Sequence, residues 1–329
     1  MKILPIFIPH LGCPFRCIYC EQHSITHTNA IDFPAIALMI QHFCQRHKAI
    51  DKEIAFFGGT FTAMTVAQQE HFFSLVAPHM DANTHIRFST RPDALSLSIL
   101  SRCKEAGVRT IELGIQSFSD KVLRASERGY SASQAIDGCR MVQDAGFDLG
   151  IQLMPGLPGD SALYRGETLQ QTLALSPSYV RIYPTLVLAH TALATLFNEG
   201  SYTPLSLEEA IHISAQWQEA FSQSTIKVIK TGLHADISPQ DVVAGPFHPG
   251  FGELVTIHRL YQRIIQNYIP STTLCISPAA RPLFFGYGRS LINRLKTTFA
   301  CNELGIFVDP DLSLLEIRIQ NREPGELLS

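Results

Sequence analysis

Short runs rich in β-branched and aromatic residues alternate with longer stretches of helical periodicity through the first half of this chain. This alternation predicts βα units, because strands that are separated by helices pair in parallel. Right-handed crossovers would curl such strands into a barrel or a partial barrel. We therefore expect an α/β fold, a partial (βα)6 barrel with a small C-terminal α+β extension. The predicted strands cover residues 2–9, 53–57, 84–89, 109–115, 147–153 and 179–183.

The length and composition indicate a globular protein with room for two domains. Of the 329 residues, we expect 1–235 to form the partial barrel and 236–329 to form an extension that covers it. The formal net charge of −3 argues against a generic nucleic-acid binder. Residues 1–10 are apolar but few and include two prolines, so they predict a strand and not a signal peptide. No apolar run is long enough to span a membrane.

Three cysteines in one short run, Cys13, Cys17 and Cys20, have the spacing Cys-x3-Cys-x2-Cys. A structural zinc ion takes four ligands, and iron–sulfur clusters are usually held by four thiolates. Three thiolates on one loop therefore predict a cluster with one iron open to another ligand. The alternatives at this point are a zinc loop with a distant fourth ligand and three buried thiols.

The other five cysteines are scattered singly along the chain, at positions 44, 103, 139, 275 and 301. No second closely spaced pair appears among them, so a second cluster is not expected. A chain of this size without a secretory signal is also a poor candidate for a disulfide scaffold. We expect these five to be buried thiols in a reducing compartment, which predicts a cytoplasmic protein.

Chemically unusual residues stand at the carboxyl end of every predicted strand, the edge where parallel barrels build their active sites. Each segment also has an ordinary structural explanation. For example, two glycines make a turn, and Asp93 would cap a helix that begins near Ala94. In chain order the segments are the cysteine loop, Gly58-Gly59-Thr60, Thr90-Arg91-Pro92-Asp93, Gln116-Ser117, Met154-Pro155-Gly156-Leu157-Pro158-Gly159 and Tyr183-Pro184-Thr185.

Two charged residues near the fourth strand are further candidates. Counting alternation back from Gln116, Glu112 and Gly114 share its face and would point into the barrel. A buried carboxylate needs a partner, so Glu112 is either half of a structural ion pair or a substrate ligand. Arg128 would supply a cation to a ligand carboxylate, or else lie solvated on the surface.

The cysteine spacing resembles the signature of the radical S-adenosylmethionine (radical SAM) superfamily, whose fold is a partial TIM-like barrel. The resemblance implies that Cys13, Cys17 and Cys20 bind a [4Fe–4S] cluster whose fourth iron is chelated by S-adenosylmethionine. Reductive cleavage of that cofactor then yields a 5′-deoxyadenosyl radical that abstracts a hydrogen atom.

The same resemblance assigns cofactor contacts along the predicted barrel edge. Tyr19 and the turn with Met154 and Gly156 would lie near the adenine, and Gln116 and Ser117 near the ribose hydroxyls. The backbone of Gly58, Gly59 and Thr60 would meet the methionine amino group, although Thr60 stands where many relatives carry glutamate. Arg91 would contact the cofactor or the substrate, and Arg128 the methionine carboxylate. No residue is assigned as catalytic.

Within the superfamily, the motifs resemble the radical SAM portion of the Elp3 family over about residues 3–260. Elp3 proteins modify the wobble uridine of tRNA and also carry an acetyltransferase domain. The segment after the predicted barrel is too short for that domain, so we expect a shortened Elp3-like enzyme. A basic stripe near the end of the chain would face RNA or be a solvated helix face. It comprises Arg281, Arg289, Arg294 and Lys296.

Two other functions stay open at this point. One is a HemN-like radical SAM enzyme that acts on a small molecule. The other is a non-catalytic iron–sulfur or metal-binding protein. The enzyme interpretation implies an external electron donor of the flavodoxin or ferredoxin type, and a substrate that is tRNA or a small molecule.

Overall fold

The computed structural model describes residues 1–14, 17–21, 31–232, 237–269, 272–286 and 290–321. Its main sheet has seven parallel strands in the spatial order β1-β2-β3-β4-β5-β6-β8. Helices connect successive strands, so the expected α/β partial barrel is confirmed. The strands are β1 (Lys2–Phe7), β2 (Lys52–Phe57), β3 (Thr84–Thr90), β4 (Val108–Gln116), β5 (Asp148–Leu153), β6 (Tyr179–Ile182) and β8 (Lys227–Thr231).

Helices of ordinary length lie between these strands, and several begin at side chains that cap them. Thr65 and Gln68 form a capping box at the start of α2, as Ser131 and Gln134 do at α5. Among the described residues before β6 the α-helices are α1 (Phe33–Arg46), α2 (Val66–Val76), α3 (Leu97–Glu105), α4 (Asp120–Ala125), α5 (Ala132–Asp144) and α6 (Ala162–Leu175).

The helix expected to begin near Ala94 begins three residues later, at Leu97. Ser96 is its N-cap, and its hydroxyl accepts from the Ile99 amide at 3.3 Å. Asp93 is not the cap, because both of its carboxylate oxygens accept from the Arg91 guanidinium at 2.9 and 2.8 Å. Residues Pro92–Ala94 form a separate 3₁₀ turn.

Beyond β6 the chain adds elements that were not predicted. A short pair of antiparallel strands, β7 (Val187–Leu188) and β9 (Val242–Ala244), flanks α7 (Ala192–Asn198) and α8 (Leu207–Ser222). Strand β8 then pairs in parallel with β6 as the seventh strand of the main sheet.

The main sheet has one apolar face and one polar face, as strand alternation requires. On β4, Ile111, Leu113 and Ile115 are fully buried. The intervening positions Glu112 and Gly114 face the inside of the curl together with Gln116. The apolar face supplies core, and the polar inner face supplies the groups of the candidate site.

The chain divides into two compact units. The first comprises Met1–Ala210 and Ala220–Pro249, and the second comprises Ile211–Glu219 and Gly250–Ser329. The division predicted at residue 235 stays a prediction. No helix among the described residues is long and apolar enough to cross a membrane.

The second unit is built on a three-stranded sheet in the order β11-β10-β12, with β11 parallel and β12 antiparallel to β10. Its core includes Leu260, Ile264, Leu274, Phe284 and Leu295. The elements are α9 (Phe251–Asn267), β10 (Thr272–Ile276), α10 (Arg281–Phe285), α11 (Ser290–Thr298), β11 (Gly305–Val308) and β12 (Ile317–Asn321).

The basic stripe falls on this second unit. Arg294 places its guanidinium 3.8 Å from the centre of the Tyr261 ring, and Arg281 lies over Phe285 at 5.8 Å. Arg289 lies outside the described residues. Arginine on an aromatic face is a common packing arrangement. The RNA-facing role of the stripe stays a prediction.

Candidate functional site

A cavity of about 450 Å³ opens inside the curl of the main sheet, at the carboxyl ends of its strands. It lies within the first unit. Most of the residues predicted from the sequence line it. They are Cys13, Cys17, Tyr19, Cys20, Gly58, Gly59, Thr60, Arg91, Gln116, Arg128 and Met154, together with Glu112 and Tyr183.

The cysteine loop is pressed against the turn that follows β2. Gly12 has a φ of +74°, and a Cβ there would lie 2.4 Å from the Thr60 carbonyl oxygen. A Cβ on Gly59 would lie 2.5 Å from the Leu11 carbonyl oxygen, which accepts from the Thr60 amide at 2.9 Å. Both positions require glycine, because any side chain would push the two backbones apart. The turn therefore fixes the loop that carries the cysteines.

The three thiols are an appropriate donor set for an iron–sulfur cluster. All three line the cavity, and Cys13 Sγ lies 3.2 Å from Thr60 Oγ1. Burial raises the pKa of Cys13 and of Cys20, so both are neutral thiols at pH 7 in the absence of metal. Soft thiolates are the ligands that such clusters take, and binding would release their protons.

The sulfur atoms are not yet gathered around one point. Among the residues with described positions, no three His, Cys, Asp or Glu side chains stand in metal-binding geometry. The residue types and their shared cavity fit a cluster, and binding it requires the three sulfurs to move closer together.

Arg128 reaches the cysteines from the segment between α4 and α5. Its Nη1 donates to Cys17 Sγ at 3.1 Å and to the Tyr19 hydroxyl at 2.9 Å. Its Nε donates to the Tyr130 hydroxyl at 2.9 Å, and Nη2 donates to the Gly114 carbonyl oxygen. Only 6% of the residue is exposed. The surface alternative for this arginine is therefore wrong.

The environment of Arg128 keeps it cationic. Burial by itself would lower the pKa of its guanidinium, but Tyr130, Tyr19 and Cys17 together hold that pKa well above its usual value. Burial also raises the pKa of the Tyr19 and Tyr130 hydroxyls, so both stay protonated. The Tyr130 hydroxyl donates a hydrogen bond to the Gly114 carbonyl oxygen at 2.7 Å.

Gln116 occupies a strained position at the end of β4. Its φ is +68°, in the left-handed region that residues other than glycine rarely adopt, beside an irregularity in the β4–β5 pairing. Its carbonyl oxygen accepts from the Met154 amide at 2.9 Å, and its Oε1 accepts from Gln152 Nε2 at 3.4 Å. Strain of this kind concentrates at functional sites, where it aims a side chain.

Two predicted residues do not line the cavity. The Ser117 hydroxyl lies 3.1 Å from Thr168 Oγ1 and accepts from the Ser119 amide, so it is held within the protein. Gly156 lines a separate cavity of about 220 Å³, and its carbonyl oxygen accepts from the Tyr202 hydroxyl at 2.6 Å. Their predicted cofactor contacts stay predictions.

An ion pair lines the same cavity, and one of its members was not predicted. Arg181 Nε donates to Glu112 Oε2 at 2.7 Å, and Arg181 Nη1 donates to the Tyr183 hydroxyl at 3.1 Å. Glu112 also accepts from Tyr179 at 3.0 Å and from Ser89 at 3.2 Å. The ion-pair alternative for Glu112 is thus confirmed, and the substrate-ligand alternative stays a prediction for a residue that lines the cavity.

A second buried ion pair lies on the neighbouring strands, between Arg87 of β3 and Glu53 of β2. Thr110 donates to the same glutamate at 2.9 Å. The Arg87 guanidinium lies over the Tyr179 ring at 4.8 Å. The inner face of the sheet therefore carries a connected polar layer, and its charges are matched by neighbours of opposite sign.

Comparison with known proteins gives family matches over most of the chain. The model of the Radical SAM superfamily matches residues 7–171, and that of the Radical_SAM C-terminal domain matches residues 177–263. A tRNA uridine(34) acetyltransferase from Methanocaldococcus infernus is 26% identical over 227 residues, 62% of this chain and 42% of the relative. The heme chaperone HemW of Bacillus subtilis is 26% identical over 245 residues, 71% of this chain and 62% of the relative.

A solved structure of the archaeal Methanocaldococcus infernus Elp3 has a related fold. It superposes with a TM-score of 0.62 and 21% sequence identity, covering 80% of this chain and 62% of that one. At this identity the likeness concerns the fold. The chain spans about two fifths to one half of the length of the first curated relatives it matches.

Proposed function

The chain belongs to the Radical SAM superfamily, and from that premise we propose that it cleaves S-adenosylmethionine reductively at a [4Fe–4S] cluster on Cys13, Cys17 and Cys20. Enzymes of this superfamily use that cluster and that cofactor. When bound, the pair supplies the 5′-deoxyadenosyl radical that starts the reaction on the substrate. The protein's part is to hold both groups and to keep water from them.

One observation carries this proposal: three cysteines and a buried arginine that makes no ion pair within the described residues line one cavity. A cluster held by thiolates is anionic, and a buried cation with no carboxylate partner is the complement that such a cluster needs.

The remaining wall of the cavity supports the predicted contacts of the cofactor. We propose that the backbone of Gly58, Gly59 and Thr60 approaches the methionine amino group, since no Cβ stands on the two glycines. Tyr19 and Met154 would flank the adenine, and Gln116 would reach the ribose. Arg91, anchored by Asp93, would contact the cofactor or the substrate.

We propose tRNA as the substrate, because the first curated relatives act on a tRNA uridine by name. The second candidate is a HemN-like enzyme that acts on a small molecule, and the match to a relative named a heme chaperone supports it only in that haem is a small molecule. An external low-potential electron donor of the flavodoxin or ferredoxin type would supply the electron. Cytoplasmic location is a proposal that follows from thiols which must stay reduced.

Anaerobic reconstitution with iron and sulfide tests the proposal. The wild-type chain should gain one cluster and, with dithionite and S-adenosylmethionine, should release 5′-deoxyadenosine. The Cys17→Ala variant should bind little iron and should release no 5′-deoxyadenosine. Cys44→Ala, which alters a buried cysteine outside the cavity, is the matched control and should behave as the wild type does.

Two results separate the proposed function from its rivals. An intact cluster that yields no 5′-deoxyadenosine would leave a non-catalytic iron–sulfur protein. Salt-dependent retardation of tRNA in a gel, absent with a DNA duplex of equal length, supports the tRNA substrate. If tRNA at micromolar concentration is not retarded even at low salt, the small-molecule candidate replaces it.

A further inference from the structure

We propose that Arg128 is a positioning residue that makes the cluster easier to reduce, by donating a hydrogen bond to the Cys17 sulfur and placing a fixed positive charge beside it. This inference rests on the proposed function, because it requires a cluster on the cysteine loop. It concerns a property of that cluster that the family assignment does not give.

Four hydrogen-bond acceptors hold the Arg128 guanidinium beside the Cys17 sulfur. Cys17, Tyr19, Tyr130 and Gly114 accept its Nη1, Nε and Nη2 hydrogens. Its planar fork leaves one orientation that satisfies all of them. The donor therefore already faces the Cys17 sulfur before any cluster is bound.

The backbone of Arg128 is fixed as well. Arg91 donates from Nη2 to the Arg128 carbonyl oxygen, while the same Arg91 is held by Asp93. Both guanidinium groups lie over the Tyr130 ring, at 5.1 Å for Arg91 and 5.0 Å for Arg128. Two loops and one aromatic ring thus set the position of a single side chain.

The charge balance gives the direction of the effect. Within the part of the chain that the structure describes, the ion pairs engage Arg87, Arg91 and Arg181 but not Arg128. One-electron reduction by a flavodoxin- or ferredoxin-type donor adds a negative charge to a cluster already bound by thiolates. A nearby buried cation and a hydrogen bond to a ligating sulfur both stabilise the reduced form more than the oxidised form.

This role differs from the one expected from the sequence, in which Arg128 binds the methionine carboxylate. Each of its terminal nitrogens already has an acceptor in the protein, Cys17 and Tyr19 for Nη1 and Gly114 for Nη2. Binding the carboxylate would compete with these contacts. The two roles make different predictions for the cluster potential measured without S-adenosylmethionine. Replacing Arg128 should lower that potential if the residue acts on the cluster, and should leave it unchanged if the residue acts only on the methionine carboxylate.

The test is a redox titration of the reconstituted cluster, followed by electron paramagnetic resonance without S-adenosylmethionine. In Arg128→Met the ratio of reduced to oxidised cluster at a fixed potential should fall about tenfold, which for one electron is a shift of about 59 mV to lower potential. Arg128→Lys keeps the charge but loses the planar fork, so its shift should have the same sign and be smaller. Arg165→Met removes one positive charge outside the cavity and should leave the potential unchanged.

Each outcome bears on one claim. A fully loaded Arg128→Met or Arg128→Lys cluster with the wild-type potential overturns the inference. A difference that appears only after S-adenosylmethionine is added also overturns it, in favour of carboxylate binding. A wild-type chain that assembles no cluster contradicts the proposed function itself, and iron and sulfide analysis detects this before any titration.

Discussion

Two of the arginines that line the cavity, Arg181 and Arg128, have opposite electrostatic surroundings. Arg181 is neutralised by Glu112 at 2.7 Å, whereas Arg128 donates to uncharged oxygens and to the Cys17 sulfur. The difference arises on one face of strand β4. The Glu112 carboxylate accepts from Arg181, whereas Arg128 donates to the carbonyl oxygen of Gly114, two residues further along the same face. The cavity thus keeps positive charge available for an anion beside the cysteines and presents a balanced ion pair elsewhere.

The largest expected effect comes from unbalancing the ion pair. In Arg181→Met, Glu112 stays buried without its cation, and we expect the free energy of unfolding to fall by about 3 kcal/mol. The double variant Glu112→Gln with Arg181→Met should recover most of this loss. Calorimetric unfolding measures both; equal destabilisation in the single and double variants would mean that the charge is not what stabilises this wall.

A second way to disturb the paired wall acts through packing. A Cβ on Gly150 would lie 2.3 Å from the Tyr179 ring, whose hydroxyl donates to Glu112. We expect Gly150→Ala to cost about 1–3 kcal/mol, the usual range for overpacking.

Gly166 is the matched control for this prediction, because a Cβ there meets nothing within 4 Å and the residue lies inside α6. Gly166→Ala should stabilise the chain by up to about 1 kcal/mol, through helix propensity. Thermal unfolding of both variants decides the matter, and a Gly150→Ala variant as stable as Gly166→Ala would contradict the proposed contact.

The next prediction tests Arg128, which has no carboxylate partner among the described residues, by removing the Tyr130 hydroxyl that helps to hold it. Tyr130→Phe removes an acceptor for Arg128 Nε and a donor to Gly114, at a cost of about 1–2 kcal/mol. Because the guanidinium loses an anchor, the cluster potential measured without S-adenosylmethionine should shift to lower values, as redox titration would show. Tyr179→Phe, on the paired wall, should leave the cluster potential as it is, and equal changes in both variants would erase the distinction.

The smallest effect concerns a partly exposed cluster of Glu219 with Arg259 and Arg263 in the second unit. Burial would raise the pKa of Glu219, but hydrogen bonds and charges from Arg259 and Arg263 outweigh it and hold that pKa below its usual value. Its stabilisation is therefore present above the unfolded pKa of about 4.3 and is lost as pH falls through the lower folded pKa. The carboxylate is partly exposed, so we expect about 0.5 kcal/mol.

Trp217, the chain's only tryptophan, lies in the same unit and reports its unfolding. Unfolding followed by Trp217 fluorescence at pH 7 and pH 3 should show the difference between wild type and Glu219→Gln only at pH 7. A difference of equal size at both pH values would assign the effect to packing.

Much of the first unit could be predicted from the sequence, because buried parallel strands alternate with helices in a strong pattern. The predicted limits of the first six strands lie within two residues of the observed ones. The seventh, β8, was missed because its sequence Lys-Val-Ile-Lys-Thr is short and charged, as suits an edge strand. The helix after Asp93 was placed too early because its carboxylate pairs with Arg91 instead of capping.

The sequence predicted those parts of the site whose chemistry lies in the residue type. It did not predict the parts that depend on where a side chain points. The cysteines and glycines are unusual residues at informative spacing, and the structure puts them in one cavity. Arg181 was overlooked because an arginine in the middle of a strand has no local signature. The contact between the Ser117 hydroxyl and Thr168 of α6 was not predicted, because no sequence pattern reveals which residue faces that hydroxyl.

The two outermost strands of the open sheet also bear on how this protein avoids aggregation. Strands β1 and β8 end the spatial order, and each presents an edge to which a foreign strand could add. Pro5 interrupts the amide donors of β1, and Lys227 and Lys230 place charge on β8, where both are exposed. Proline and lysine at such positions discourage cross-β growth. The sheet can therefore stay open, because these residues disfavour the pairing of its edge strands with strands of other chains.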